Sequence, residues 1–328
     1  MRALALFSGG LDSMLAMKLL TDQGIDVIAL HIDTGFGPEQ EKFDTLKRRA
    51  ELVGASFEVV DIRSSYLQDV LLNPKYGYGS KFNPCIDCHA YMFKTALAML
   101  PERNASFIIT GEVIGQRPMS QRKEAMAQVK NLADDSDDLI LRPMSAKLLP
   151  PTRPEREGWV DRERLLGLSG RDRKPQLALA ASLGISDYAT PGGGCLLTIE
   201  SFAHKMRDYL KFDSEVREID AKWLKIGRHL RLKDGAKMII GRDEGDNIAL
   251  REEINDKFNT ISFSPDVVGA ASFLSKGASE ADTLLAAKLA LAYTRATLGD
   301  TYTVKVGEIA HKIVHEMDKS AAQEYLLK

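Results

Sequence analysis

A run over 2–7, apolar after Arg2, stops at Ser8-Gly9-Gly10, after which Leu11, Met14, Leu15 and Leu19 recur at helical spacing. The pattern predicts a strand, a glycine turn and a helix. A second apolar run, 25–32, predicts a buried strand, followed by a polar loop and a helix over 39–53. Residues 56–61, 106–110 and 138–142 predict three further strands. Strands alternating with helices imply parallel βαβ units, hence an α/β fold with a doubly wound parallel sheet. Ligands of such sheets sit beyond the carboxyl ends of the strands.

The pattern changes near residue 148, where Pro150, Pro151 and Pro154 stand among mixed charges in a linker-like stretch. Two short helices are predicted at 161–168 and 174–184, before the turn Thr190-Pro191-Gly192-Gly193-Gly194-Cys195. Beyond residue 200 the pattern predicts a smaller α+β domain, with a helix at 200–210, strands at 237–241 and 248–251 and an Ala-rich helix at 280–297. The division expected is therefore 1–198 and 199–328. The acidic run 133–138 reads as a solvated loop and lacks the spacing of a calcium loop.

With 328 residues, 44% hydrophobic and 27% charged, the chain is too long for one small core and too apolar for disorder. No run approaches a membrane span, and the first apolar run is too short for a signal peptide. Three cysteines without an export signal suggest reduced thiols and a cytoplasmic location. The net charge of −2 decides nothing about partners until the charges are placed.

Ser8-Gly9-Gly10-Leu11-Asp12-Ser13 lies at a strand-to-helix junction. Glycines let backbone approach a ligand, and unpaired amides at a helix start favour an anion. The lysine of the Walker pattern is missing. An aspartate in a phosphate loop repels its ligand unless a divalent ion lies between, so Asp12 implies Mg2+. A plain glycine turn with Ser8 as helix cap is the structural alternative. The hexapeptide resembles the SGGxDS signature of the PP-loop ATP pyrophosphatases. That resemblance implies an adenine nucleotide alpha-hydrolase-like fold and cleavage of ATP between its α and β phosphates. It also implies that Ser8, Gly9, Gly10 and Ser13 cradle the phosphates, with Leu30, His31 and Ile32 near adenine.

After the fourth strand stands Thr110-Gly111-Glu112-Val113-Ile114-Gly115-Gln116, followed by Ser120-Gln121. Two glycines at a strand's carboxyl end again mark close backbone approach. The segment is similar to the TGExxGQxxSQ motif of the tRNA 4-thiouridine synthetases, with one additional residue before Ser120. Leu141-Arg142-Pro143-Met144 is similar to their RPL segment. The resemblance covers residues 1–198 and implies that Gly111 and Glu112 line the nucleotide or target-base pocket.

Cys85 and Cys88 stand two residues apart in Asn83-Pro84-Cys85-Ile86-Asp87-Cys88-His89, which would project both sulfurs from one loop, and Cys195 follows the Gly-rich turn. Cys-x-x-Cys-His also attaches c-type haem in exported proteins. Zinc would take the three thiols plus His89. A redox pair or structural cysteines are further readings, and three thiolates would equally hold an iron–sulfur cluster. The arrangement resembles that of the cluster-dependent tRNA thiolases of the same superfamily, where three cysteines hold a 4Fe-4S cluster. The NPCxxC stretch is also similar to the NPDxxCN segment of the 2-thiouridine synthetases, which places Cys88 at their catalytic cysteine. Cys195 falls at the second reactive cysteine of both groups, so Cys88 and Cys195 matter whether the sulfur is carried on a cluster or as a persulfide.

Lys222, Lys225, Arg228, Arg231, Lys233, Lys237 and Arg242 face only Asp234 within 222–242, with Trp223 and His229 interleaved. Phosphate binding with base stacking is one reading of that stretch, and a solvated charged face is the other. Ile240-Gly241-Arg242-Asp243, Asn247, Leu250, Ala286–Ala290 and Tyr293 resemble the RNA-binding domain of the NFACT proteins, over 200–328. Together these resemblances imply an ATP-dependent tRNA thiouridine synthetase. Asp12, Cys88 and Cys195 would be its catalytic residues, with tRNA as substrate and free sulfide or a cysteine desulfurase as sulfur donor. A homodimer is compatible with the sequence, and no membrane partner is expected. A PP-loop enzyme adenylating a small molecule, and a zinc-structured RNA-binding protein, are the rival readings.

Overall fold

The computed structural model describes residues 1–37, 43–189, 195–213, 215–253 and 255–327. The chain forms two compact units, Met1–Thr198 and Ile199–Lys328.

In the first unit the apolar runs form β1 (Arg2–Leu6), β2 (Asp26–Asp33), β3 (Ser56–Asp61), β4 (Phe107–Thr110) and β5 (Ile140–Leu141). They make one parallel sheet in the order β3-β2-β1-β4-β5. Ala3, Leu4 and Ala5 are all buried, so successive residues of β1 are covered on both faces, as a parallel sheet requires. Intervening helices are α1 (Leu11–Thr21), α2 (Phe43–Leu52), α3 (Arg63–Tyr66), α4 (Cys85–Met99), α5 (Lys123–Leu132), α6 (Arg153–Arg156) and α7 (Lys174–Ser182). The chain leaves β1 toward β2 and β3 and returns to the other side for β4 and β5, which puts the topological switch point between β1 and β4.

Three expectations are corrected here. Residues 161–168 make only one turn, Arg162–Arg164, capped by Asp161. From Leu165 the chain is extended, and Leu166 and Leu168 donate to the carbonyls of Pro143 and Met144. In the acidic run, Asp135 is buried and accepts from the N–H groups of Leu139 and Ile140, so that loop is only partly solvated. The third correction concerns the cysteines: Cys85 and Cys88 occupy the first turn of α4 rather than a loop.

The second unit contains α8 (Glu200–Phe212), α9 (Glu218–Trp223), β6 (Arg228–Arg231), β7 (Lys237–Ile240), α10 (Glu244–Glu252), β8 (Phe258–Phe263), β9 (Ser272–Ser275), α11 (Glu280–Leu291), β10 (Thr301–Val306) and β11 (Ile309–Val314). Its six strands form an antiparallel sheet ordered β11-β10-β8-β9-β7-β6. Residues 248–251, expected as a strand, lie in α10. Ile248 and Leu250 mimic a two-residue period, but only Leu250 is buried, and Asp243 caps the helix by accepting from Asp246 N.

Candidate nucleotide and thiol site

The turn after β1 is built for close approach. Gly9 has φ +75°, and a Cβ there would lie 2.5 Å from Leu46 Cδ2. Gly10 is extended and forms the N-cap of α1, leaving the first amides of the helix at the carboxyl edge of the sheet. Ser8 is exposed at this edge, while Ser13 is buried and donates its hydroxyl to Gly10 O at 2.8 Å. Ala189 N bonds to Gly9 O at 3.0 Å and ties the loop to the end of the unit's chain. Gly111, at the end of β4, would place a Cβ 2.5 Å from Ser13 N, so only glycine lets the two loops meet.

Asp12 lies in the first turn of α1. Its Oδ2 accepts from Gln116 Nε2 at 2.7 Å and stands 3.8 Å from an Arg173 nitrogen, while its Oδ1 is buried without a partner. Gln176 Nε2 in turn bonds to Gln116 Oε1 at 3.2 Å. Among the described residues, the buried side-chain polar atoms of this unit lacking a partner are Asp12 Oδ1, Gln121 Oε1, Arg142 Nη2, Arg173 Nε and Gln176 Oε1. All five belong to the segments that meet around the β1–β4 switch point, and such orphans are otherwise rare in a folded interior. An unpaired carboxylate oxygen beside a phosphate-type loop fits a magnesium ion.

Leu30 is fully buried and its carbonyl accepts from Phe7 N, so it offers a ligand neither surface nor free polar atoms. His31 is part-exposed with Nδ1 3.2 Å from Phe7 O, and Ile32 is 9% exposed. Glu112 does not face an open pocket. Its side chain is 4% exposed, Oε1 lies 2.8 Å from His89 Nδ1, and Oε2 accepts from Arg142 Nε at 2.8 Å. Burial alone would raise its pKa, but the Arg142 charge and His89 outweigh it and hold the carboxyl below its ordinary range. Both oxygens are therefore committed to side chains of the protein, which corrects the expectation that Glu112 lines the nucleotide pocket.

The three cysteines are free and partly buried. Two backbone bonds bring the distant one in: Leu196 N donates to Phe36 O at 3.0 Å, and Phe82 N donates to Leu197 O at 3.1 Å. Residues 190–194, the preceding turn, lie outside the described residues. The thiols are close enough that charge on Cys195 or Cys85 raises the pKa of Cys88. Burial pushes the Cys88 thiol up to about 12, opposed by a hydrogen bond with the Tyr66 hydroxyl. Burial likewise raises Cys195, opposed by bonds from the backbone of Leu197 and Thr198. Asn83 Nδ2 donates to Cys85 Sγ at 3.1 Å. Among the described residues, no three His, Cys, Asp or Glu side chains are gathered to hold a metal ion. His89, the fourth ligand that zinc would take, has Nδ1 2.8 Å from Glu112 Oε1 and Nε2 3.4 Å from Ser120 Oγ.

One chain of contacts joins the two halves of the site. Cys88 precedes His89, His89 meets Glu112, and Gly111 touches the backbone of Asp12 and Ser13. Sequence reasoning missed Gln116, Arg142, Arg173, Gln176 and Tyr66 as site residues. Gln116 and Arg142 stood inside the quoted motifs, but nothing local to the sequence marked the other three.

In the second unit the basic stretch is largely neutralised from elsewhere in the chain. Lys222 pairs with Glu253, Arg231 with Asp208 at 2.6 Å, and Arg242 with Asp246 at 2.6 Å. Lys237 is 3% exposed and pairs with Asp208 at 2.9 Å. Arg228 bonds to Gly241 O at 3.1 Å, Lys225 is half-buried, and Lys233 is exposed. Trp223 and His229 are buried, and Trp223 stacks on Phe258. They are core residues, which corrects their reading as a base-stacking platform.

Residues 2–98 match the Arginosuccinate synthase N-terminal HUP domain, and residues 227–326 match the NFACT protein RNA binding domain. A tRNA-specific 2-thiouridylase of Dehalococcoides mccartyi is 31% identical over 114 residues, 32% of this chain and 32% of that protein. That of Listeria monocytogenes is 24% identical over 235 residues, 68% of this chain and 59% of that protein. The chain thus spans from about a third to about three fifths of the length of these curated relatives. A solved 4-thiouridine synthetase–RNA complex with bound ATP is 20% identical, covering 56% of this chain and 41% of that one, at a TM-score of 0.39, too loose to argue from. The N-terminal part of the chain is thus similar to a HUP domain and, over part of its length, to the tRNA-specific 2-thiouridylases, and its C-terminal part is similar to the NFACT protein RNA binding domain.

Proposed function

We propose that this protein is an ATP-dependent tRNA thiouridine synthetase. The observation that carries the reading is a glycine loop holding an unpaired carboxylate oxygen, packed on Gly111, whose neighbour Glu112 is bonded to His89 beside the free thiol of Cys88. A uracil carbonyl oxygen is a poor leaving group. Transfer of AMP from ATP to that oxygen releases pyrophosphate, and attack of sulfur on the same carbon then expels AMP.

Ser8, Gly9, Gly10 and Ser13 cradle the phosphates, with the amides at the start of α1 supplying partial positive charge. Asp12 Oδ1 is the oxygen that would hold magnesium, and Gln116 keeps the carboxylate oriented through Oδ2. His31 and Ile32 stand at the strand end where adenine would lie. Glu112 acts through His89 and Arg142, fixing the first turn of α4 against β4.

Three thiolates suffice to bind a 4Fe-4S cluster, and Cys85, Cys88 and Cys195 would hold it once its binding gathers them. Such a cluster would supply an iron site able to present sulfide. The C-terminal unit would grip the tRNA, with Lys222, Lys225, Arg228, Arg231, Lys233 and Arg242 as its candidate contacts.

The test is the full-length protein with an unmodified tRNA transcript, ATP, Mg2+ and sulfide, analysed for AMP and thiolated nucleosides. Asp12→Asn loses AMP formation, whereas Cys88→Ser and Cys195→Ser lose thiolation. AMP release that needs a small molecule and no tRNA would sink the reading in favour of a small-molecule adenylating enzyme. Anaerobic purification tests the cluster: broad absorbance near about 400 nm, lost in Cys85→Ala, supports it, and a colourless zinc-loaded protein overturns it.

A further inference from the structure

Between Leu71 and the start of α4 runs a loop, 72–82, whose exposed side chains the reaction above leaves unused. Its backbone is fixed from within the first unit. Asp87, buried in the first turn of α4, accepts from Lys75 N at 2.6 Å and from Tyr76 N at 3.1 Å. Gly79 N donates to Asn83 O at 2.9 Å, and Gly79 packs so closely on Asn83 and Met119 that a Cβ would find no room. At Gly77, by contrast, with φ +71°, a Cβ would meet nothing within 4 Å, so the space beside it is open.

Tyr76 and Tyr78 are nevertheless each 38% exposed. Tyr78 lies on Phe82 with ring centres 4.4 Å apart and planes 25° apart, and its hydroxyl donates to Leu71 O at 2.7 Å. With one face covered and the hydroxyl engaged, what Tyr78 presents is ring surface on the side away from Phe82. Lys75 Nζ stands 6.0 Å from the centre of the Tyr76 ring and pairs with no carboxylate among the described residues. The loop also borders the thiols. Asn83 Nδ2 donates to Cys85 Sγ at 3.1 Å, and Phe82, beneath Tyr78, donates its N–H to Leu197 O, two residues past Cys195.

Two exposed rings and an unpaired cation on a fixed backbone call for flat groups joined by negative charge. Successive nucleotides of an unpaired RNA segment supply both, since bases stack on aromatic faces and phosphates neutralise lysines. An apolar peptide would cover the rings and leave Lys75 unused, and a single free nucleotide needs only one ring. Because the loop is already ordered by its own backbone bonds, little affinity is lost in ordering it. A target uracil has to reach the thiols, so the RNA on either side of it crosses the surface that borders them.

We propose that the loop 72–82 docks the unpaired RNA flanking the target uridine, with one base stacked on Tyr78, a neighbouring base on Tyr76 and a phosphate on Lys75. The proposal rests on the thiolation reading above and adds to it an RNA contact in the first unit.

Fluorescence anisotropy with the full chain and a labelled tRNA transcript, across a salt series, tests it. Tyr76→Ala and Tyr78→Ala each weaken binding about tenfold, the usual worth of one base stacked on an aromatic ring, and Tyr78→Phe, which keeps the ring, stays within about twofold of wild type. Lys75→Ala lowers the salt slope by about one. Tyr78→Ala also uncovers Phe82, and if circular dichroism shows that it fails to fold, Tyr76→Ala and Lys75→Ala decide. Wild-type affinity and salt slope in those two overturn the proposal. Unchanged tRNA affinity, with thiolation reduced from a protein persulfide donor but normal from free sulfide, also overturns it, because the loop then docks a protein. Weakened binding in the variants of a protein that forms no thiolated nucleoside removes the enzyme reading and keeps the RNA surface. Thiolation with wild-type tRNA affinity in the variants removes the surface alone.

Discussion

Glu112→Gln is the most telling perturbation of the first unit, because it removes one charge and almost no volume. In the native protein the carboxylate is 4% exposed, and its two oxygens are shared between Arg142 Nε and His89 Nδ1, each at 2.8 Å. Arg142 is 9% exposed in its side chain, and its Nη2 already lacks a partner. The face of Phe93, 5.9 Å away, is its remaining compensation. An amide still accepts one hydrogen bond but leaves the guanidinium charge buried and unpaired. Breaking a buried pair in this way costs about 3–5 kcal/mol. The sign with pH follows from the lowered carboxyl. Glu112 contributes its full stability above its unfolded value of about 4.3 and loses it as pH falls through the still lower folded value. Urea denaturation of both proteins at pH 7, and at falling pH down to 3, measures this. The gap is largest at neutral pH and shrinks below about pH 4. The Arg142→Met, Glu112→Gln double variant recovers much of the loss, since a well-packed apolar group replaces the stranded charge. A single variant within 1 kcal/mol of wild type at pH 7, or a gap independent of pH, refutes the buried-triad account.

Gly111→Ala pushes a Cβ to 2.5 Å from Ser13 N, against backbone that has no flexible end to yield. Overpacking of that kind costs about 1–3 kcal/mol and separates the β4 end from the glycine loop. ATP binding followed by calorimetry falls with it. Gly184→Ala, at φ +67° but in open space, loses about 1 kcal/mol and binds ATP normally. Burial pushes the Lys237 amine down to about 8, against the pull of Asp208. Between about pH 8 and 10 the unfolded chain therefore keeps a proton that the native state has released, and stability rises with pH. Melting temperatures across that range climb less steeply in Lys237→Met, and an identical slope would mean that Lys237 stays charged.

The parallel sheet was legible because its signals are local. Each strand of the first unit is a short apolar run followed by a turn, and the observed strands Arg2–Leu6, Asp26–Asp33, Ser56–Asp61 and Phe107–Thr110 keep within a residue or so of those runs. Expectation failed where an apolar run takes its structure from a remote partner. Leu165–Leu168 has helical spacing, yet it is drawn out by the carbonyls of Pro143 and Met144. Ile248 and Leu250 alternate like a strand, yet the cap at Asp243 starts a helix upstream of them. Composition carried no trace of either outcome.

The candidate site divides along the same line. Glycines announce themselves in a sequence because their need is in the backbone, at Gly9 for its φ and at Gly111 for its contact with Ser13. Charged side chains do not, because what they do depends on which distant partner reaches them. Glu112 sits in a motif that reads as a pocket wall, but Arg142 and His89, 30 and 23 residues away, turn it into an internal brace. The basic stretch makes the same point in the opposite direction. Counted along the chain its cations face one acid, whereas in the fold Asp208, Asp246 and Glu253 close on four of them. A cation held by a carboxylate of its own protein must exchange that partner for a phosphate, so it gives less to RNA affinity than an exposed one. Lys233, exposed and over the Tyr325 ring at 5.9 Å, is therefore the member of the stretch from which the largest single loss of tRNA affinity is expected.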